Sequence, residues 1–331
     1  MDLALHGVVP DVEPHLAAFY IENTPFAPIA NERTFDGDLW DNTTGAPGPD
    51  GIMDRSGQSA INLANLQALR DNNRQSIADY SVLALSLQNM SVDGDATPDL
   101  NGFDVSVVGQ SFGGYGGIPF TALEPLVSRL YGNVTGVGIM RSLNGGFFGP
   151  NFLQPFLQGL AGIEPGSPEF EQYLLVAQTL VDSTDGANWA QWVGTPVLAN
   201  QVVNDDTVPN LVPPLAGSEP MNALLGLASF NSTQMNPDGI RGVSRFLPPA
   251  LHSALLLPTH PQITAEMQRQ MVSFIASRGT AVVVGDPSLL APVAAPAAKK
   301  PETDKYRGGT SGDLKLDDRY TKPRPRDNKE G

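Results

Sequence analysis

An α/β fold, a mostly parallel sheet flanked by helices, is what this amino-acid sequence predicts, on three observations. Apolar runs of strand length occur at residues 105–108, 134–140 and 196–203. Segments whose apolar residues recur at helical spacing lie between and beyond them. Glycine-rich or polar turns join the two kinds of segment, as strand-to-helix connections require. The 331 residues, 41% of them hydrophobic, are enough to bury one such core.

Taken along the chain, residues 8–55 mix Pro, Gly and Asp with short apolar pieces and read as a long irregular excursion near the mouth of a site. Ile77, Tyr80, Ala84 and Leu87 recur at helical spacing, which predicts one or two helices over about residues 57–88 covering the sheet. Asp93, Asp95, Thr97, Asp99, Asn101 and Asp104 have the spacing of a calcium loop. Pro98 stands where that loop needs a glycine, and an Asx-rich turn accounts for the composition equally well, so calcium is not favoured.

Gly109-Gln110-Ser111-Phe112-Gly113 then breaks the first strand around a serine, the form of a nucleophile elbow. A serine hydroxyl is a poor nucleophile at neutral pH, so a fold that uses one lifts it onto a tight turn where a histidine reaches it. Gly109 and Gly113 are expected to relieve crowding in that turn and Gly114 to let the next helix pack close. The Phe112 backbone N–H is expected to face the developing oxyanion. Alone the pattern is weak, since a glycine-rich turn after a strand is often only a turn.

The interval 143–193 carries Phe147, Phe148, Phe152, Phe156, Leu157, Leu160, Trp189 and Trp192. As a cap these side chains would line an acyl pocket or shield a site from water, and as ordinary core they would only pack; the sequence leaves both readings open. The strand at 196–203 ends in Asn204-Asp205-Asp206-Thr207-Val208-Pro209, a polar turn with two carboxylates. Asp205 is preferred to Asp206 as the acid because it stands four residues before Pro209. Farther on, Pro248-Pro249-Ala250-Leu251-His252-Ser253 sets a histidine on a loop, with His260 as its competitor. A helix should follow with Met267, Met271, Phe274, Ile275 and Arg278 on one face and Gly279 at its stop. Residues 294–331, rich in charge, Pro and Gly and poor in bulky apolar side chains, read as a disordered tail behind a domain of residues 1–293.

Serine, acid and histidine come in the chain order of an α/β-hydrolase, not of chymotrypsin or subtilisin. His252 would take the Ser111 proton during attack and return it to the leaving alcohol, while Asp205 would fix the tautomer of the ring. Elimination agrees with that reading. The chain has no cysteine, which excludes thiol nucleophiles, thiolate metal sites and disulfides. Every lysine lies at position 299 or later, which removes a phosphate-loop or Schiff-base lysine from the body. The four histidines, His6, His15, His252 and His260, include no pair at metal-ligand spacing, and His6 and His15 read as structural or surface residues. No cofactor is required. Residues 1–293 hold ten Arg against 28 acids, a net charge of −18 that disfavours nucleic acid and anionic membranes as partners. No stretch approaches the ~18–20 apolar residues of a membrane span, and the first residues lack a basic-then-apolar signal.

Several stretches together resemble the extracellular bacterial lipases of the Pla-1/cef and virulence-factor lipase type, within the α/β-hydrolase superfamily. They are Glu32-Arg33-Thr34-Phe35-Asp36, Gly48-Pro49-Asp50-Gly51-Ile52, Arg70-Asp71-Asn72-Asn73-Arg74-Gln75, the serine elbow, Asn204 to Asn210, and His252-Ser253 leading into Glu266-Met267-Gln268-Arg269-Gln270. The resemblance implies hydrolysis of carboxylic esters with lipid-like or other apolar acyl groups, Ser111, Asp205 and His252 as the triad, and an extracellular or cell-surface location. Met1-Asp2-Leu3-Ala4-Leu5-His6-Gly7 resembles the stretch that ends the fourth strand of such folds. The domain is therefore expected to be N-terminally truncated, with the Phe112 N–H as its one visible oxyanion donor. A serine peptidase of the same fold, or an inactive hydrolase serving as a binding module, are the alternatives.

Overall fold

The computed structural model describes residues 18, 22, 37–44, 46, 48–54, 61–63, 65–91, 93–100 and 102–293. Helix α1 (Leu66–Leu87) starts where the Asn65 side chain accepts the Ala68 N–H, an N-cap bond, and it buries Leu69, Asn73, Ser76, Ile77 and Ala84 along one stripe. Strand β1 (Val105–Gln110) runs into α2 (Phe112–Leu123), which returns the chain to β2 (Val127–Asn133), parallel to β1. Before β3 (Val197–Val202) come α3 (Ile139–Gly145), a π-helical turn at Gly149–Leu153, α4 (Gln154–Ala161), α5 (Pro168–Val181) and α6 (Gly186–Trp189). After it come α7 (Ser218–Leu224), β4 (Ala228–Ser229), β5 (Gln234–Met235), β6 (Arg241–Phe246), α8 (Pro261–Ala276) and β7 (Ala281–Val282).

The main sheet has the order β1-β2-β3-β6-β4, with every pairing parallel, and β5 and β7 form a separate antiparallel pair. A parallel sheet needs both faces covered. Strand β3 shows the alternation that does this. Val197 and Ala199 pack with Ile118 of α2 and Met221 of α7, whereas Leu198 and Val202 pack with Phe246 and with Met267 and Phe274 of α8. On the α2 side a further cluster joins Leu69 of α1 to Tyr115, Leu157 and Phe170. The result is a mostly parallel sheet flanked by helices, the expected class.

Several elements differ from expectation. The strand expected at 134–140 lies at Val127–Asn133 instead. Arg129 sits inside that strand and hid it, because its guanidinium reads as a surface group, yet it is buried against Asp104 at 2.8 Å. Val134, at φ 45°, ends the strand, and residues 134–138 lead into α3. Arg278 is not on the buried face of the last helix: it follows α8 at φ 58°, its exposed side chain facing Asp104 at 3.2 Å, and Gly279 at φ 83° completes the stop. In the calcium-like stretch two carboxylates bond the local backbone and a third bonds side chains of other elements. Asp93 accepts the Asp95 N–H at 3.1 Å, Asp95 bonds the Thr97 N–H, and Asp104 is taken up by Ser128, Arg129 and Arg278.

Residues 1–17 with His6 and His15, the 32–36 stretch, Asn101 and the 294–331 tail lie outside the described residues. Among the described residues no helix is long and apolar enough to cross a membrane.

Candidate active site

Because the sheet is parallel, β1, β3 and β6 all present their carboxyl ends on one edge, where open α/β sheets bind ligands. Ser111 directly follows β1, Asp205 comes three residues after β3, and His252 six residues after β6. The chain therefore delivers all three expected residues to one edge of the sheet.

Ser111 sits at φ 52° and ψ −121°, a backbone region that costs an L-residue about 1–3 kcal/mol. Two bonds hold the kink. The Ser111 N–H donates to the Asn133 carbonyl at 2.8 Å, and the Gly114 N–H donates to the Ser111 carbonyl at 2.9 Å. A Cβ at Gly109 would lie 2.7 Å from the Gly114 Cα, and one at Gly114 would lie 2.5 Å from the Thr135 Cβ, so both positions need glycine. Gly113 does not: a Cβ there meets nothing within 4 Å, and the expectation that it relieves crowding fails. Phe112 is the first residue of α2, where N–H groups make no bond within the helix itself.

The acid turn is built around Asp205. Its carboxylate receives the Thr207 and Val208 N–H groups at 2.9 and 3.0 Å and lies 3.0 and 2.9 Å from Nδ1 of His252. The Asp205 side chain is 1% exposed and that of His252 17%, so the pair is largely shielded from water. Asp206 is exposed and accepts the Thr207 hydroxyl at 3.1 Å. Asn210 closes the turn, donating to the Val202 carbonyl at 2.8 Å and accepting the Asn204 N–H at 2.9 Å. His260 stands at the N-cap of α8, where its carbonyl accepts the Ile263 and Thr264 N–H groups.

Beside Ser111 lies a cleft of about 90 Å³ lined by Ile61, Phe112, Tyr115, Ile139, Leu143, Phe148 and Val208, with Ser142 and Thr207 among them. Tyr115 is neutral there, since burial pushes its hydroxyl well above its ordinary value. Side chains of the 143–193 interval divide between the cleft wall, the core and the surface. Phe148 lines the cleft and meets the exposed Phe147 edge-to-face and the exposed Phe152 at a tilt, with centroid distances of 5.7 Å each. Leu157 is core, Phe156 partly buried and Leu160 exposed. Trp189 packs against the α2 face of the sheet beside the exposed Trp192.

A polar row near the strand ends was not anticipated. Gln110 is in register with Asn133, Asn133 with Asn200, and Asn200 with Ser244, so four side chains share one face of four parallel strands. The Asn133 amide donates to Oε1 of Gln110, and the Tyr131 hydroxyl to Oδ1 of Asn200 at 2.6 Å. Asn200 donates to Ser244 at 2.7 Å and to Gln270 of α8 at 3.0 Å. Nε2 of Gln110 donates to the main-chain carbonyl of His252 at 3.0 Å. The signal that could have revealed the row is one polar residue near the carboxyl end of each buried strand.

No protein-family model and no curated protein matches the chain. Among solved structures, acetyl xylan esterase 1 from Thermoanaerobacterium sp. JW/SL YS485 is 16% identical over 84% of this chain and 72% of its own, with a TM-score of 0.43. A puromycin-hydrolyzing peptidase of Mycobacterium tuberculosis is 16% identical over 62% of this chain, which spans 27% of the peptidase's length, at a TM-score of 0.39. A monoacylglycerol lipase of Paleococcus ferrophilus is 15% identical over 62% of this chain and 76% of its own, at 0.38. Superpositions this loose carry no argument. What the structure itself shows is a mostly parallel sheet flanked by helices, a strained serine between β1 and α2, and loops after β3 and β6 that reach the same sheet edge.

Proposed function

We propose that this protein is a serine ester hydrolase, an esterase or lipase that cleaves carboxylic esters with apolar acyl groups. Ser111 is its nucleophile, His252 its general base and acid, Asp205 the carboxylate that orients His252, and the Phe112 N–H an oxyanion donor. The observation that carries this reading is the buried Asp205–His252 pair at the same sheet edge as the strained Ser111, with an apolar cleft beside it. Ser111 Oγ attacks the ester carbonyl as its proton passes to Nε2 of His252. The tetrahedral oxyanion collapses, the alcohol leaves with that proton, and the acyl group stays on Ser111. Water, deprotonated by the same imidazole, then releases the carboxylic acid and restores Ser111. None of these steps calls for a cofactor.

The acyl group belongs in the cleft. At about 90 Å³ it is small beside the roughly 300–1,000 Å³ of pockets that engulf drug-sized ligands, which favours short acyl chains. The test is hydrolysis of nitrophenyl esters from acetate to palmitate, with Ser111→Ala and fluorophosphonate labelling alongside. Turnover should peak at short chains, and Ser111→Ala should lose both turnover and label. Undiminished hydrolysis by Ser111→Ala, or faster cleavage of peptide anilides than of any ester, would sink the proposal.

A further inference from the structure

Strand spacing sets a problem for the histidine. Neighbouring strands lie about 4.8 Å apart, so β1 and β6, three steps apart in the sheet, are separated by roughly 14 Å. The loop after β6 must therefore travel back over the ends of β3 and β2 before its imidazole can serve a serine on β1. From the α8 side the Thr264 hydroxyl holds that loop at the Ala254 carbonyl, 2.6 Å, and Gln268 holds it at the Leu255 carbonyl, 3.1 Å. From the β1 side it is held by Gln110, whose amide donates to the carbonyl of His252 itself at 3.0 Å. The amide has one workable orientation. Asn133, fully buried, donates to Oε1, and the opposite orientation would set N–H against N–H there and carbonyl against carbonyl at His252.

We propose that Gln110 is a positioning residue: oriented by Asn133, it holds the His252 backbone and so sets the imidazole against Ser111, its own neighbour in the chain. This rests on the ester-hydrolase reading above.

The test uses the full chain with Gln110→Met, which keeps the side-chain length but has no donor, and Gln110→Glu, which still accepts from Asn133 but offers His252 no N–H. Both should lower kcat about 10- to 100-fold, the cost of a misplaced catalytic group, while KM holds; the thermal midpoint should hold in Gln110→Glu, which keeps the acceptor for Asn133, and fall in Gln110→Met, which removes it. The loss should be larger for ethyl butyrate than for nitrophenyl butyrate, because a departing alkoxide needs the His252 proton and nitrophenolate does not. A fold defect would lower both esters equally. Full activity in Gln110→Glu, or equal losses on the two esters, would overturn the role of Gln110 alone. A wild-type protein that neither cleaves esters nor takes up a fluorophosphonate would overturn the hydrolase reading and this role with it.

Discussion

Replacing Asp205 with Asn keeps the size of the side chain and removes its charge, which isolates what that charge does. The Thr207 and Val208 N–H groups both point at one oxygen, Oδ1, so an amide oxygen kept there retains both bonds. The new NH2 group then faces Nδ1 of His252. Nδ1 lies 3.0 Å from the retained oxygen and 2.9 Å from the new donor, so the variant admits the tautomer in which Nδ1 accepts and Nε2, carrying the ring proton, cannot take the proton of Ser111. The expected loss in kcat is about 10³- to 10⁴-fold. In free energy that is about 4–5.5 kcal/mol of transition-state stabilisation. KM should stay within about twofold, since Asp205 does not line the cleft. Asp206→Asn is the internal control, because its exposed carboxylate bonds the neighbouring Thr207 hydroxyl and its kcat should change by less than about twofold. Steady-state kinetics on a short-chain nitrophenyl ester, with thermal melts to verify folding, decide the matter. An Asp205→Asn protein that keeps more than about a tenth of wild-type kcat, or an Asp206→Asn protein that loses as much, would refute the assignment of the acid.

Two further outcomes follow from packing and charge. Gly114→Ala should destabilise the protein by about 1–3 kcal/mol, since the new methyl lands on Thr135, whereas Gly113→Ala should be neutral or stabilising by up to about 1 kcal/mol. Calorimetric melts of the two variants check this, and the opposite ranking would disprove the packing account of the elbow. Glu219 is hydrogen-bonded by Arg245 at 2.7 Å and by Gln201 at 2.9 Å, and chiefly the Arg245 bond holds its carboxyl below the ordinary 4.5. A depressed carboxylate contributes stability that is present above its unfolded pKa and lost as pH falls through the folded value. The stability gap between wild type and Glu219→Gln should therefore be level above the ordinary glutamate range and shrink as the pH falls through and below it. Urea titrations over that range measure it, and a gap that widened with acid would contradict the sign.

Features fixed by neighbours in sequence were legible, and features fixed by distant partners were not. The kink at Ser111 could be read because strand, serine and glycines are contiguous, and the carboxylate-bearing turn because Asp205 and Pro209 share it. β2 was misplaced because Arg129 looks like a surface residue until Asp104, 25 positions earlier, is seen to take its charge. Arg278 fitted the periodicity of α8, but the left-handed backbone at its own position ends the helix first. Strands β4, β5 and β7 hold two residues each, too few for any alternation to register. The polar row needed the register of four strands, which single-sequence reasoning does not supply.

That row also explains why the site depends on the middle of the sheet as much as on its loops. An apolar row would pack without any desolvation cost, so three buried polar side chains and the half-buried Gln110 add little net stability even when every one is paired. What they add is register. A one-residue slip of β2 would turn Asn133 to the other face and leave Gln110, and through it His252, without its support. The main chain repeats the constraint, for the Asn133 carbonyl receives the Ser111 N–H and the Asn200 carbonyl receives the Val134 N–H. β2 thus stands as a ruler between the strand that ends at Ser111 and the strand that leads to Asp205. Its length and register set the distance that the loops after β3 and β6 have to close.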